Sequence, residues 1–304
     1  MDVPVSVQWF PGHMQKTRRL IKEHLKLVDV VIEVLDARIP ASSMNPLLRE
    51  VLNDKQRVIA LNKVDLADEG VTRRWMQYFR QNDIPTVAIN TMSGQGIRAL
   101  LRQAEELAKE RSEKFMRKNG RPRAARVMIV GIPNVGKSSL INRLAGQAKT
   151  KVENRPGVTR ERQWIRVGHQ LELLDTPGIL WPKFEDPMVG MKLAFVGSVS
   201  EDAYDGDALA MAYLSWMCRH YPEHLQTRYQ LTAETLRGDS IEVLAAIGKK
   251  RGCLLKGGRV DYDKVRRLLL TEFRAGKMGA VSFDEPPEGI ASEERETAME
   301  KDGE

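Results

Sequence analysis

Cysteine is scarce in this chain. Cys218 and Cys253 are the only two in 304 residues, and neither belongs to a CxxC or Cys/His cluster. That spacing excludes a disulfide framework and argues against a zinc site. Two isolated thiols fit the reducing cytoplasm. Aromatic residues are also few, at 6%, and no aromatic-rich motif for stacking single-stranded bases is visible. No run of eighteen apolar residues occurs, so no membrane-spanning helix and no membrane partner are expected. The N-terminal stretch MDVPVSVQWFPGHMQK has no apolar core of the secretion-signal type. What the chain has in excess is positive charge. The net charge is +7, but residues 284–304 hold nine acidic residues and two basic ones. The remainder, residues 1–283, carries 46 basic against 32 acidic residues, or +14. A body that basic points to a polyanionic partner. The acidic stretch 284–304 is poor in large apolar residues and reads as a disordered tail.

Apolar spacing predicts alternating strands and helices through the first half. Residues 14–27 have the pattern of a basic amphipathic helix, with Lys16, Arg18, Arg19 and Lys22 on its polar side. Strands are expected at 29–37, 57–61, 84–89 and 127–130, each a short buried apolar run. Helices are expected at 45–52, 71–82, 94–118 and 137–146, and a hairpin pair at 163–167 and 171–174. Such alternation predicts an α/β domain with a mostly parallel sheet and flanking helices. Residues 188–280 contain no convincing strand and read as a small all-helical domain. The expected domains are therefore 1–181, 182–283 and the tail 284–304.

The most specific motif is GIPNVGKSS at residues 131–139, directly after an apolar strand and opening a helix. This is the phosphate-binding P-loop pattern GxxxxGKS. Glycines let backbone N–H groups approach phosphate oxygens, the helix N-terminus favours negative charge, and the lysine reaches the β- and γ-phosphates. Asn134, Val135, Gly136, Lys137, Ser138 and Ser139 are the candidate phosphate-side residues, with Lys137 also stabilising charge in the reaction. Ser138 is a candidate Mg²⁺ ligand. DTPG at 175–178 follows the hairpin and offers Asp175 to a magnesium-bound water and the Gly178 N–H to a γ-phosphate. Thr159, in PGVT, is a candidate second Mg²⁺ hydroxyl in a switch loop. NKVD at 62–65 follows the second strand. The Asp65 carboxylate can accept from both the N1–H and the exocyclic amine of guanine, a donor pair that adenine lacks. Asn62 and Lys63 complete that motif, and Asn90 with Thr91 stand where a guanine O6 would be backed.

The guanine motif precedes the P-loop, the reverse of the usual GTPase order. Old termini can be fused and new ones opened in a loop without altering a sheet. The opening here falls just after DTPG, so the second switch runs straight into the helical domain. In these features the chain resembles the ribosome biogenesis GTPase A family of circularly permuted bacterial GTPases. The resemblance rests on WFPGHM at 9–14, DAR-x-P at 36–40, NKVD, GIPNVGKSSLIN, PGVT and DTPGIL, and spans residue 9 to about 280. It implies GTP as substrate and GDP as product, a role in late assembly of the large (50S) ribosomal subunit, stimulation by that particle, and an RNA-binding helical domain. Ile179 stands where many GTPases place a water-orienting glutamine, and the resemblance points instead to His13. Asn134 matches an asparagine that ligates K⁺ in related GTPases.

The expected RNA surface lies in the helical domain. Lys249, Lys250 and Arg251, then Lys256 and Arg259, occupy glycine-spaced loops. Lys264, Arg266, Arg267 and Arg274 follow on one helix. Lysine and arginine so placed suit phosphate contacts, and the resemblance implies that the phosphates are those of ribosomal RNA and not of DNA. Two other functions share the same motifs: a GTPase that drives a chemical modification, and a nucleotide-dependent scaffold that does not hydrolyse. The helical domain has no cysteine cluster or cofactor loop to support the former.

Overall fold

The computed structural model describes residues 5, 7, 14–46, 52, 55–120, 123–147, 164–167, 171–174 and 186–287. Within them, six strands form one sheet: β1 (Val30–Asp36), β2 (Gln56–Asn62), β3 (Thr86–Ile89), β4 (Ala125–Val130), β5 (Trp164–Val167) and β6 (Leu171–Leu174). Their order is β3-β2-β1-β4-β6-β5. All neighbours are parallel except β5 with β6. Every residue of β1 is buried, as expected of a central parallel strand covered on both faces.

Alternate residues of these strands supply two layers of core. Val30, Ile32, Val34, Val58 and Val127 share a core with Leu100, Ala104 and Ala108 of α4 (Ile97–Asn119). On the opposite face, Leu35, Ile59 and Leu61 pack against Trp75 and Phe79 of α3 (Glu69–Gln81). Val31, Met128 and Val130 pack there against Ile21 and Leu25 of α1 (Met14–Leu25). Between β1 and β2 lies the one-turn helix α2 (Pro40–Ser43). The helix expected from residue 94 begins only at Ile97, because Gly94 and Gly96 adopt positive φ of 90° and 75° that a helix does not accept. The strand expected from residue 84 begins at Thr86, after Pro85, which has no N–H for the ladder. Of the helix expected at 45–52, most lies outside the described residues.

The parallel register decides where the site forms. Asp36 pairs with Asn62, and Asn62 with Ile89. The C-terminal ends of β1, β2, β3 and β4 therefore open at one edge, where α/β sheets bind ligands. The P-loop enters α5 (Lys137–Gln147) from that edge.

Helices follow from Asp186 onward: α6 (Pro187–Phe195), α7 (Gly206–His220), α8 (Pro222–Tyr229), α9 (Ala233–Arg237), α10 (Ser240–Lys250) and α11 (Tyr262–Arg274). Among the described residues here, strand-like pairing is limited to the isolated bridges Leu254–Val260 and Val7–Tyr204. The core of this unit runs without interruption into that of the sheet. Phe195, Tyr213, Phe273 and Phe283 form its aromatic centre, with Tyr213 and Phe273 centroids 5.0 Å apart. The limit expected at 181/182 lies outside the described residues. At the other limit, Asp284 is not the start of a disordered tail. It is only 4% exposed, because Ser42 and Lys192 satisfy its carboxylate.

Candidate nucleotide site

The P-loop geometry follows from its glycines. Gly131 and Gly136 have φ of 151° and 101°, and Asn134 sits left-handed at 61°. A Cβ on Gly131 would lie 2.5 Å from Val34 O, and one on Gly136 would lie 2.3 Å from Asn62 Nδ2. No larger residue fits either place. Lys137 opens α5, and its Nζ donates to Ile132 O at 2.7 Å, folding the lysine over its own loop.

Asn62 joins three loops. Its Nδ2 donates to Val135 O at 2.7 Å, and its Oδ1 accepts from Thr91 N–H at 3.1 Å. Lys63, left-handed at φ 64°, directs its Nζ to Asn134 O at 2.6 Å and Asp36 Oδ2 at 2.8 Å. Asp65 stands exposed on the wall of the cavity that these loops enclose. Asn90 is mostly buried, and its Oδ1 accepts from Met92 and Ser93 N–H at 2.8 and 3.1 Å. That oxygen shapes the loop instead of facing a base. Arg143 braces the same loop through Thr91 O and Met92 O.

The cavity holds about 740 Å³. Asn62, Lys63, Asp65, Asn90, Thr91, Asn134, Gly136, Lys137, Ser138 and Ser139 all line it, so motifs more than 70 residues apart meet there. Val135 is fully buried behind the wall. His13, Thr159, Asp175 and Gly178 lie outside the described residues.

Two contributors to the site, Arg38 and Gly197, carry no role in the sequence reading, and a third, Arg274, is expected only among the phosphate-contacting residues of the last helix. Arg38 is buried, and its Nε and Nη2 grip both oxygens of Asp36 at 2.9 and 2.7 Å. Burial alone would raise the Asp36 carboxyl; the Arg38 and Lys63 charges, with their hydrogen bonds, hold it well below the usual carboxylate range. The Arg38 guanidinium also lies 5.1 Å from the Phe273 ring centre, in the helical unit. Its place in DAR-x-P was the one available signal. Gly197 accepts from Asn134 Nδ2 at 2.6 Å. Arg274 closes the wall beside Ser200 and Glu201, held by Ala194 O, Phe195 O, Tyr204 and Glu201. Expected as a phosphate contact on the exposed face of its helix, Arg274 is instead turned inward by these bonds.

On the helical unit, Lys249, Lys250, Lys256, Arg259, Lys264 and Arg267 are exposed. Lys250, Arg251, Lys264 and Arg267 rim a cavity of about 390 Å³. Two expected phosphate ligands are instead engaged within the chain: Arg251 pairs with Glu272, and Arg266 with Asp207 and Asp263. On α1, Arg19 is exposed and pairs with Glu23 one turn on.

Comparison with known proteins agrees with this geometry. A family model described as 50S ribosome-binding GTPase matches residues 126–211. Ribosome biogenesis GTPase A of Bacillus cereus is 49% identical over 282 residues, covering 93% of this chain and 95% of that protein. The chain belongs to the ribosome biogenesis GTPase A family. The Priestia megaterium member is likewise 49% identical, over 93% of this chain and 98% of its own. The crystal structure of GNP-bound YlqF from T. maritima superposes with a TM-score of 0.62 at 30% identity, covering 90% of this chain and all of that one. The protein is thus a GTPase that binds GTP and GDP and acts in ribosome biogenesis, on a P-loop GTPase fold with a mostly parallel sheet. None of its described helices is long and apolar enough to cross a membrane.

Proposed function

We propose that this GTPase binds a precursor of the large ribosomal subunit in the cytoplasm, promotes its late assembly, and leaves when the particle stimulates GTP hydrolysis. The observation that carries this reading is the double face of the helical unit. One side, through Gly197, Ser200, Glu201 and Arg274, forms part of the nucleotide cavity. Another presents the exposed cations Lys249, Lys250, Lys256, Arg259, Lys264 and Arg267. A unit that touches both nucleotide and a polyanion can make the affinity for each depend on the other. The free cations are the phosphate contacts; Arg251 and Arg266 contribute charge while holding their internal partners.

In the site, Asp65 reads the guanine edge, Lys63 lies along the base with its ammonium anchored, and Lys137 with the P-loop N–H groups binds the phosphates. Ser138, at the first turn of α5 on the cavity wall, suits Mg²⁺; Thr159 and Asp175 would complete the set. Mg²⁺ supplies charge neutralisation at the β- and γ-phosphate oxygens. The amide oxygen of Asn134 is a donor suited to K⁺, since its nitrogen is already turned to Gly197 O. Exchanging K⁺ for Na⁺ at equal ionic strength should slow hydrolysis by the wild type, and Asn134→Ala should erase that difference. Equal wild-type rates in the two salts would remove K⁺ from the site.

The Ile179 side chain offers no polar atom to orient water, and the family resemblance points to His13 for that role. A histidine can exchange a proton with water near neutral pH, and such roles contribute about a hundredfold or more. In single-turnover hydrolysis with purified large-subunit precursor, His13→Ala is expected to bind GTP and particle normally and lose about a hundredfold of the stimulated rate. Full stimulation in that variant would place the water-orienting group on the particle. Absence of any stimulation in the wild type would refute the particle reading as a whole.

A further inference from the structure

The loop that carries Asp65 is gripped from outside its own domain. It leaves β2 at Asn62 and enters α3 at Glu69. Two of its backbone groups are bound by residues that follow the last helix. Val281 N–H donates to Leu66 O at 2.9 Å, and Asp68 N–H donates to Ser282 Oγ at 3.1 Å. The same short segment then crosses the loop after β1. Phe283 N–H donates to Arg38 O at 2.7 Å. The Asp284 carboxylate accepts from Ser42 N–H at 2.7 Å and Ser42 Oγ at 3.0 Å, and pairs with Lys192 at 2.6 Å. Trp75 Nε1 donates to Asp284 O at 2.9 Å, and Arg74 pairs with Glu285 beyond it.

These bonds run first to one and then to the other of the two loops that set the guanine end of the cavity. One loop bears Asp65. The other bears Arg38, which holds Asp36, which holds Lys63. Residues 281–284 are all buried, so each bond is shielded from competing water. Gly276 adds a steric stop: a Cβ there would lie 2.6 Å from Leu66 Cδ2, so Leu66 rests directly on backbone.

A carboxylate that must accept from two donors of one base needs a fixed direction, and an exposed loop does not supply it alone. Asp65 is exposed, and the positive φ of Lys63 adds strain that the surroundings must hold. Resting on the reading of Asp65 as the guanine-recognising carboxylate, we propose that residues 281–284 are a strap that positions the guanine loop, and that Ser282 and Asp284 are positioning residues for base selection. Neither touches the cavity. Both act through the loops they tie down.

The test compares Ser282→Ala, Asp284→Ala and the double variant, in the full chain, for binding of GDP and of inosine diphosphate, which lacks the exocyclic amine. Thermal unfolding and binding stoichiometry are recorded alongside. Losing an acceptor for a buried N–H weakens what depends on it severalfold or more. The double variant is expected to bind GDP about tenfold more weakly at full stoichiometry, with its preference for GDP over inosine diphosphate at least about threefold smaller. A lowered unfolding temperature with affinity and preference unmoved would mean a structural fastening only, and would overturn the proposal. Should the double variant fail to fold, Ser282→Ala alone decides. It removes one acceptor and is expected to reduce the preference about twofold, and an unchanged preference overturns the strap. Asp65→Asn is the control. If it keeps the wild-type preference, the assignment of Asp65 fails and the strap with it; if it loses the preference while the strap variants keep it, only the strap fails.

Discussion

Lys137→Ala is expected to weaken GTP binding by about a hundredfold or more while leaving the fold intact. The ammonium is the charge of the P-loop, placed at the first residue of α5 and mostly buried. Each hydrogen bond from a charged donor contributes roughly 1.5–3 kcal/mol, and two to β- and γ-phosphate oxygens would correspond to about a hundredfold at the low end. The backbone N–H groups and the partial positive charge of the helix remain, so weak binding should persist. The fold should survive because the Lys137 bond to Ile132 O closes the loop and takes no part in the sheet ladder. Titration calorimetry with GTP and far-UV circular dichroism check both halves. Affinity within threefold of wild type would refute the phosphate role.

Asp36→Ala should be the most damaging single change to stability. It would leave Arg38, itself 2% exposed, buried with no carboxylate, and Lys63 with one anchor in place of two. Removing one partner of a buried ion pair typically costs about 3–5 kcal/mol, a fall of roughly 10 °C in a chain of this size. Because the folded-state value of Asp36 is depressed, its stabilisation is present above the ordinary carboxylate range and is lost as pH falls through the lowered folded value. The variant should therefore differ most from wild type at neutral pH and less under strong acid. GTP affinity should fall as well, through Lys63. A loss below about 1 kcal/mol in urea titrations across that range would show that the triad of Asp36, Arg38 and Lys63 does not hold these loops.

Asn90 and Arg38 mark the limit of what a residue's place along the chain conveys. Asn90 is a candidate by its place after a strand, and the cavity includes it. Its oxygen is nevertheless consumed by Met92 and Ser93 N–H, a local turn bond that competes with any ligand. Arg38 was visible in DAR-x-P but carried no role, because a guanidinium's partner cannot be read from spacing. Asp284 was misplaced by composition: nine acidic residues in the last twenty-one read as a solvated tail, yet a carboxylate held by Lys192 and two Ser42 groups is buried without unmet charge.

What the residues determined by themselves was local. The places of Gly131 and Gly136 follow from backbone sterics and the strands from periodicity, and with the motifs and their order along the chain they were enough for a permuted GTPase with an α/β sheet and a helical unit. Tertiary structure alone decided which distant groups meet. The parallel register brought four strand ends to one edge, the shared aromatic core set Gly197 and Arg274 into the cavity wall, and residues 281–284 were laid over the loop that carries Asp65. Such contacts join positions up to 242 residues apart. They depend on how packed layers close, a property of the whole chain that no window of it contains.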